Sequence, residues 1–225
     1  MATYFSLDSI DRILEDKYLN YDNGYFIELG GNDGITQSNT YYFEKFRGWR
    51  GLLVEPILHL FFKCKKNRQP SKVYCNACVS FGYEHSCVEL LYSNLMTSPL
   101  SVETDLNPFE QAQLGAQFLC REEEVVRTAA IAATLNKLMI EAGSPKCIDF
   151  LSIDVEGAEA EVIQGIDFSV FSFRVMCVEA RDPKKISSLL EIHGYECSSR
   201  IGHNLIFTHP MYTMKQRRNS DITVF

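Results

Sequence analysis

A buried strand that runs straight into a glycine-rich turn leaves a chain few choices of fold. Residues 25–34 have that form: Tyr25-Phe26-Ile27-Glu28-Leu29-Gly30-Gly31-Asn32-Asp33-Gly34. The apolar run predicts a strand, the glycines at 30, 31 and 34 predict a sharp turn, and the residues from Thr36 predict a helix. The same alternation recurs along the chain. Strands are predicted over 25–29, 51–55, 72–79, 148–153 and 174–179, and helices over 4–18, 36–47, 56–66, 133–142, 157–166 and 183–193. The runs at 148–153 and 174–179 are nearly continuous in apolar residues, as befits a parallel sheet covered on both faces. Near the end, 195–200 and 204–208 flank Ile201-Gly202-His203, a hairpin that turns the last strand antiparallel. The expected architecture is one Rossmann-like α/β domain over residues 1–225, with a mostly parallel seven-stranded sheet, helices on both faces and an antiparallel C-terminal strand.

Three segments stand apart. Residues 1–20 are expected to hold an N-terminal helix, and 211–225, with Lys215, Arg217 and Arg218, a flexible tail. Between 80 and 127 the periods at Val88–Tyr92 and Val125–Ile131 suggest two further strands, whereas 94–116 carries Pro99, Pro108 and several hydroxyl residues without a clear period. A stretch of this length beside a binding crevice is expected to be a variable lid over an acceptor.

Composition narrows the class. With 225 residues, 46% of them hydrophobic, the chain can bury a full core. A net charge of −7 and a pI near 5.3 argue against bulk electrostatic attachment to nucleic acid or anionic membrane, while leaving room for a local basic patch. No window offers the roughly 18 apolar residues of a membrane span, and the first 25 residues lack a signal-peptide pattern, so a cytoplasmic protein is expected. Eight cysteines lie mostly within apolar runs, which suits reduced thiols. Cys75 and Cys78 have zinc-like spacing but lack a second pair, so no zinc is expected there.

The glycine spacing carries chemistry. A dinucleotide fingerprint needs glycines at 30, 32 and 35, and this chain has Asn32 and Ile35. The second of those glycines admits a pyrophosphate. S-adenosylmethionine has none, so Glu28, Gly30, Gly31, Asn32 and Gly34 read as a loop for that cofactor. Glu55, ending Gly51-Leu52-Leu53-Val54 and 21 positions past Gly34, is placed to accept two ribose hydroxyls. Asn76 and Ala77, after the third strand, are expected to border the adenine.

The stretch Asp149-Phe150-Leu151-Ser152-Ile153-Asp154-Val155-Glu156-Gly157-Ala158-Glu159 sets two carboxylates where a central strand ends. Ligands of open α/β sheets bind at that end, so Asp154 and Glu156 are the first catalytic candidates, Asp154 also facing the cofactor. Glu179, ending the next strand, could complete a carboxylate set for Mg2+ or another divalent cation with Asp154 and Glu156. His203 could reach the crevice from the final hairpin.

In these residues the chain resembles the FkbM family of S-adenosylmethionine-dependent O-methyltransferases over nearly all of 24–208. The resemblance rests on the glycine loop, Glu55-Pro56, Thr134-Leu135 opening a helix, and Ile153-Asp154-Val155-Glu156-Gly157-Ala158-Glu159 before a helix ending at Gly165. Glu28 stands where the family has Asp, Gly31 where it has Ala, and Asn136 where it has a third Asp, which points to a structural role for position 136. The resemblance implies a class I methyltransferase fold and methylation of a hydroxyl on a sugar of a glycan, glycolipid or glycosylated metabolite. Another small-molecule acceptor, or a catalytically silent binding module associated with a glycosyltransferase, are the alternatives.

Overall fold

A computed structural model describes residues 3–212 of the chain; the expected tail falls outside them from residue 213. β1 (Tyr25–Leu29) lies in the interior of the main sheet and pairs in parallel with β2 (Arg50–Val54), from Tyr25 opposite Arg50 to Leu29 opposite Val54. α2 (Tyr41–Arg47) connects them. Beyond β2, α3 (Leu58–Asn67) leads to β3 (Lys72–Tyr74) at one edge. The chain then returns to the opposite side of β1. There β8 (Cys147–Ile153) pairs with β1, and β9 (Ser172–Glu179) pairs with β8, both in parallel. The reversal of winding between β1 and β8 opens a crevice at their carboxyl ends.

β10 (Glu196–Ile201) and β11 (Asn204–Thr208) form the expected hairpin. β11 inserts between β10 and β9 and runs antiparallel to both. The seven-stranded order is β10-β11-β9-β8-β1-β2-β3, a mostly parallel sheet with the expected antiparallel strand.

Period-2 alternation divides the strands between two buried layers. On one face Ile27, Leu29, Leu151, Ile153 and Met176 pack against Leu135, Leu138, Val162, Ile186 and Leu190. These come from α5 (Leu135–Ala142), α6 (Glu159–Ile163) and α7 (Pro183–Glu191). On the other face Phe26, Leu53, Phe150 and Cys177 meet Ile10, Leu14, Phe43 and Trp49 from α1 (Ile10–Lys17), α2 and the turn after it. Both faces are therefore covered.

Four expected elements change. The run 72–79 is two strands, because the chain leaves the main sheet after Tyr74. Ala77–Cys78, or β4, then pairs with β7 (Val126–Ala133). With β5 (Cys87–Tyr92) and β6 (Ser98–Pro99) these make a second sheet in the order β4-β7-β5-β6. The segment without a clear period contains α4 (Pro108–Gly115), started by Pro108 in its first turn and by the Asn107 side chain, which accepts from Phe109 N–H. The first helix begins at Ile10 instead of residue 4, since Asp8 and Ser9 take positive φ of 53° and 56°. α2 begins at Tyr41 instead of 36 because Glu28 captures the preceding turn. Among the described residues no helix is long and apolar enough to cross a membrane.

Candidate active site

The crevice begins where β1 and β8 end. Gly30 has φ of +80°, and a Cβ there would stand 2.0 Å from the Asp154 carbonyl oxygen. Only a glycine lets the two strand ends meet so closely. The N–H groups of Gly30 and Gly31 both donate to the Val54 carbonyl, at 3.1 and 3.0 Å, which binds the loop to the end of β2. Gly34, also at positive φ, packs on Arg68, and its carbonyl accepts from Arg68 Nη1 at 3.0 Å.

Arg68 is buried and bonded to the Glu28 and Glu44 carboxylates, each at 3.1 Å. Glu28 in turn accepts from Ser38 Oγ, Asn39 N–H and Thr40 Oγ1. Its carboxylate thus secures the 38–40 turn while Glu28 itself borders a cavity of about 470 Å³. Gly30, Asn32, Glu55, Asn76, Ala77, Asp154, Glu156 and Glu179 also line this cavity. Gly31 and Gly34 are not among the lining residues; they shape the loop from behind.

Glu55 is buried one residue past β2. Its two carboxylate oxygens accept from Asn32 N–H at 2.7 Å and Ile57 N–H at 2.8 Å. Burial nevertheless pushes its carboxyl up to about 7. The Asn76 side chain donates to the Ile131 carbonyl at 3.1 Å, so it links the departing chain to the second sheet.

At the ends of β8 and β9 three carboxylates converge. Asp154, Glu156 and Glu179 each offer an oxygen, and these atoms all lie within 4.8 Å of one another. Asp154 is exposed to the cavity, while the protein around its carboxyl strips away part of its hydration. That dehydration, with the charges of Glu179 and Glu156, raises it well above the carboxylate range. Glu156 has φ of +53° and is raised to about 7, again by dehydration first and Glu179 second. Gln111 Nε2 on α4 donates to Glu156 Oε2 at 2.6 Å. Arg181 Nη2 stands 3.4 Å from Glu179 Oε1 and also lines the cavity. Glu159 is buried behind the cluster, with Oε1 accepting from Val155 and Gly157 N–H and so fixing the turn that carries Glu156.

Not every sequence candidate reaches the cavity. His203 lies exposed in the β10–β11 turn and is not among the lining residues; its carbonyl accepts from Ala180 N–H. Asn136 is bonded through Oδ1 to Asp167 N–H at 3.4 Å, away from the cluster. Sequence reasoning missed Gln111, which lies where no period was visible, Phe118, just past that stretch, and Arg181. Arg181 was findable, because it follows the carboxyl end of β9 by two residues.

Residues 28–197 match the model of the methyltransferase FkbM domain. The chain belongs to the FkbM methyltransferase family. It is thus an S-adenosylmethionine-dependent methyltransferase, and the glycine loop and the cluster at Asp154 both fall within the matched residues. Among solved structures it is similar to the precorrin-6y C5,15-methyltransferase of Geobacter metallireducens GS-15. That match has 9% identity and a TM-score of 0.45, covering 88% of this chain and 84% of the other. A SAM dependent methyltransferase from Aquifex aeolicus is also similar, with 11% identity, a TM-score of 0.38 and coverage of 88% and 87%. No curated protein matches the chain.

Proposed function

We propose that this FkbM-family protein transfers a methyl group to a hydroxyl oxygen, on a sugar of a glycan, glycolipid or glycosylated metabolite. The observation that carries the oxygen acceptor is the convergence of Asp154, Glu156 and Glu179 beside the glycine loop. A hydroxyl is a poor nucleophile until its proton leaves, and a carboxylate with a pKa near working pH is suited to take it. The sugar rests on the family resemblance.

The residues suit the cofactor. The cavity volume lies within the range of small-molecule sites, and its walls combine Val54, Pro56 and Leu90 with a few placed polar groups. Each Glu55 oxygen has one backbone donor, which leaves capacity to accept a ribose hydroxyl. When bound, S-adenosylmethionine supplies an electrophilic methyl group. Gly30 keeps the loop low enough to admit a nucleoside, Asn76 and Ala77 border the adenine side, and Asp154 takes the acceptor's proton on a carboxylate oxygen. Glu156, positioned by Gln111 and Glu159, shares that proton load. The 93–125 segment encloses the acceptor and excludes water.

A second reading is favoured by the same cluster: three hard oxygen ligands within 4.8 Å would hold a divalent cation such as Mg2+. The two readings separate in one experiment, transfer of a labelled methyl group to a panel of sugars with and without chelator. Chelation abolishes turnover under the metal reading and leaves it unchanged if a carboxylate alone is the base. Labelling of amines or thiols, with no labelled hydroxyl, would overturn the proposal.

A further inference from the structure

The outward face of α3 has the wrong polarity for water. Leu60 and Cys64 face the core, as a surface helix requires, yet the opposite side is centred on Leu58 and Phe62, which are 61% and 59% exposed. Four residues apart, these two stand side by side. Phe61 extends the ridge, its ring 5.2 Å from that of Phe62. Lys63, Lys65 and Lys66 flank it, all exposed. Lys65 Nζ lies over the Phe61 ring at 5.7 Å. The lysines that do form ion pairs, Lys137 and Lys185, lie on α5 and α7. Among the described residues Lys63, Lys65 and Lys66 have no carboxylate partner.

An apolar ridge bordered by unpaired lysines is the arrangement of a helix that lies in a bilayer interface, with rings and leucine below the headgroups and ammonium groups snorkelling to them. A second copy of the same face would oppose lysine to lysine, whereas anionic headgroups complement all three. A cationic strip of this kind is also out of keeping with a chain of net charge −7. We propose that the outer face of α3 docks the protein on an anionic membrane surface. The placement has a consequence for access. α3 follows directly on Glu55 and Pro56 of the cavity wall, and His59 on its first turn meets Glu123 at 3.3 Å and Tyr92 at 3.2 Å. A docked α3 therefore sets one rim of the cavity at the lipid interface, within reach of an acceptor that is itself lipid-linked.

The test is flotation of the full chain with vesicles of phosphatidylcholine alone and of phosphatidylcholine with about one third phosphatidylserine. The protein is expected to float with the second set only, less so as salt rises. Replacing Lys63, Lys65 and Lys66 together by Gln should weaken partitioning about a hundredfold, from about fivefold per lysine. Leu58→Gln with Phe62→Gln should weaken it by at least tenfold. Unchanged melting temperature and unchanged S-adenosylhomocysteine affinity in both variants keep the loss attributable to the face, and separate it from any failure of the methyl-transfer reading. Wild-type protein that ignores anionic vesicles overturns the proposal. So does partitioning that both variants retain, or a dimer that the Phe62 change dissolves without any vesicle binding.

Discussion

At the scale of single residues, the site depends on groups held in costly states. Gly30 is the clearest. Because a Cβ would stand 2.0 Å from backbone, Gly30→Val must push β1 and β8 apart at the crevice. Loss of S-adenosylhomocysteine binding and a lowered melting temperature are expected together, and a variant that binds and melts normally would show that the loop lies elsewhere. Glu159 gives a pH prediction. Burial raises its carboxyl from an ordinary 4.5 to about 7, so the folded state holds the proton more tightly than the unfolded one. Its contribution to stability is full below about pH 4.5 and is lost as pH rises through 7. Glu159→Gln keeps Oε1 as acceptor for Val155 and Gly157 N–H while removing the charge. The variant should therefore exceed wild type in stability above pH 7, by on the order of 2 to 3 kcal/mol. Denaturant titrations at pH 5 and pH 8 check it; a variant less stable than wild type at pH 8 refutes the sign.

At the scale of elements, strands were easier to read than the helices that follow them. β1, β8 and β9 are within two residues of expectation because their apolar runs are continuous and buried on both faces. The helix expected from Thr36 starts at Tyr41, because a carboxylate ten to twelve residues earlier, on Glu28, takes the turn's N–H and hydroxyl groups. No local pattern announces such a long-range cap. The 72–79 run was misread for a similar reason: its apolar residues serve two sheets in succession. Gln111 remained invisible for want of any period around α4. The segment holding α4 is latched to the site by Asp105 N–H on the Gly157 carbonyl at 3.0 Å and by Lys185, which meets Glu103 at 2.7 Å and Asp105 at 2.9 Å. Glu103 is exposed while Lys185 and Asp105 are half-buried; at about 0.2–1 kcal/mol for a pair that water reaches, Lys185→Ala should lower the global melting temperature by only about 2–4 °C. It should instead speed proteolysis within 93–125 and shorten the residence time of bound S-adenosylhomocysteine severalfold. Equal cleavage rates in variant and wild type would dissociate the latch from lid closure.

At the scale of the whole molecule, topology explains why so much of the candidate site was legible. The winding reversal between β1 and β8 gathers residues from four strand ends, at 28–34, 55, 154–156 and 179, that lie up to about 150 positions apart in the chain. Each was recognisable as a carboxylate or glycine where an apolar run stops. His203 lies beside the end of β9, where its carbonyl holds Ala180 N–H, but it is exposed in the turn and does not line the cavity. On this account Asp154→Asn and Glu156→Gln should each lower methyl transfer by about 100-fold or more while sparing cofactor affinity; near-normal turnover in both would remove the cluster from the chemistry. The more basic claim is that the cavity holds the methyl donor through Glu55, and calorimetric titration with S-adenosylhomocysteine across pH 6 to 8 tests it most directly. Ribose hydroxyls donate to an ionised carboxylate, and Glu55 sits near 7 in the free protein. Wild-type affinity should therefore rise with pH, by up to about tenfold per unit below that value. Glu55→Ala should bind on the order of 1.5–3 kcal/mol more weakly, without the pH dependence. Equal affinity in a folded Glu55→Ala protein, with the same pH profile as wild type, would contradict the account.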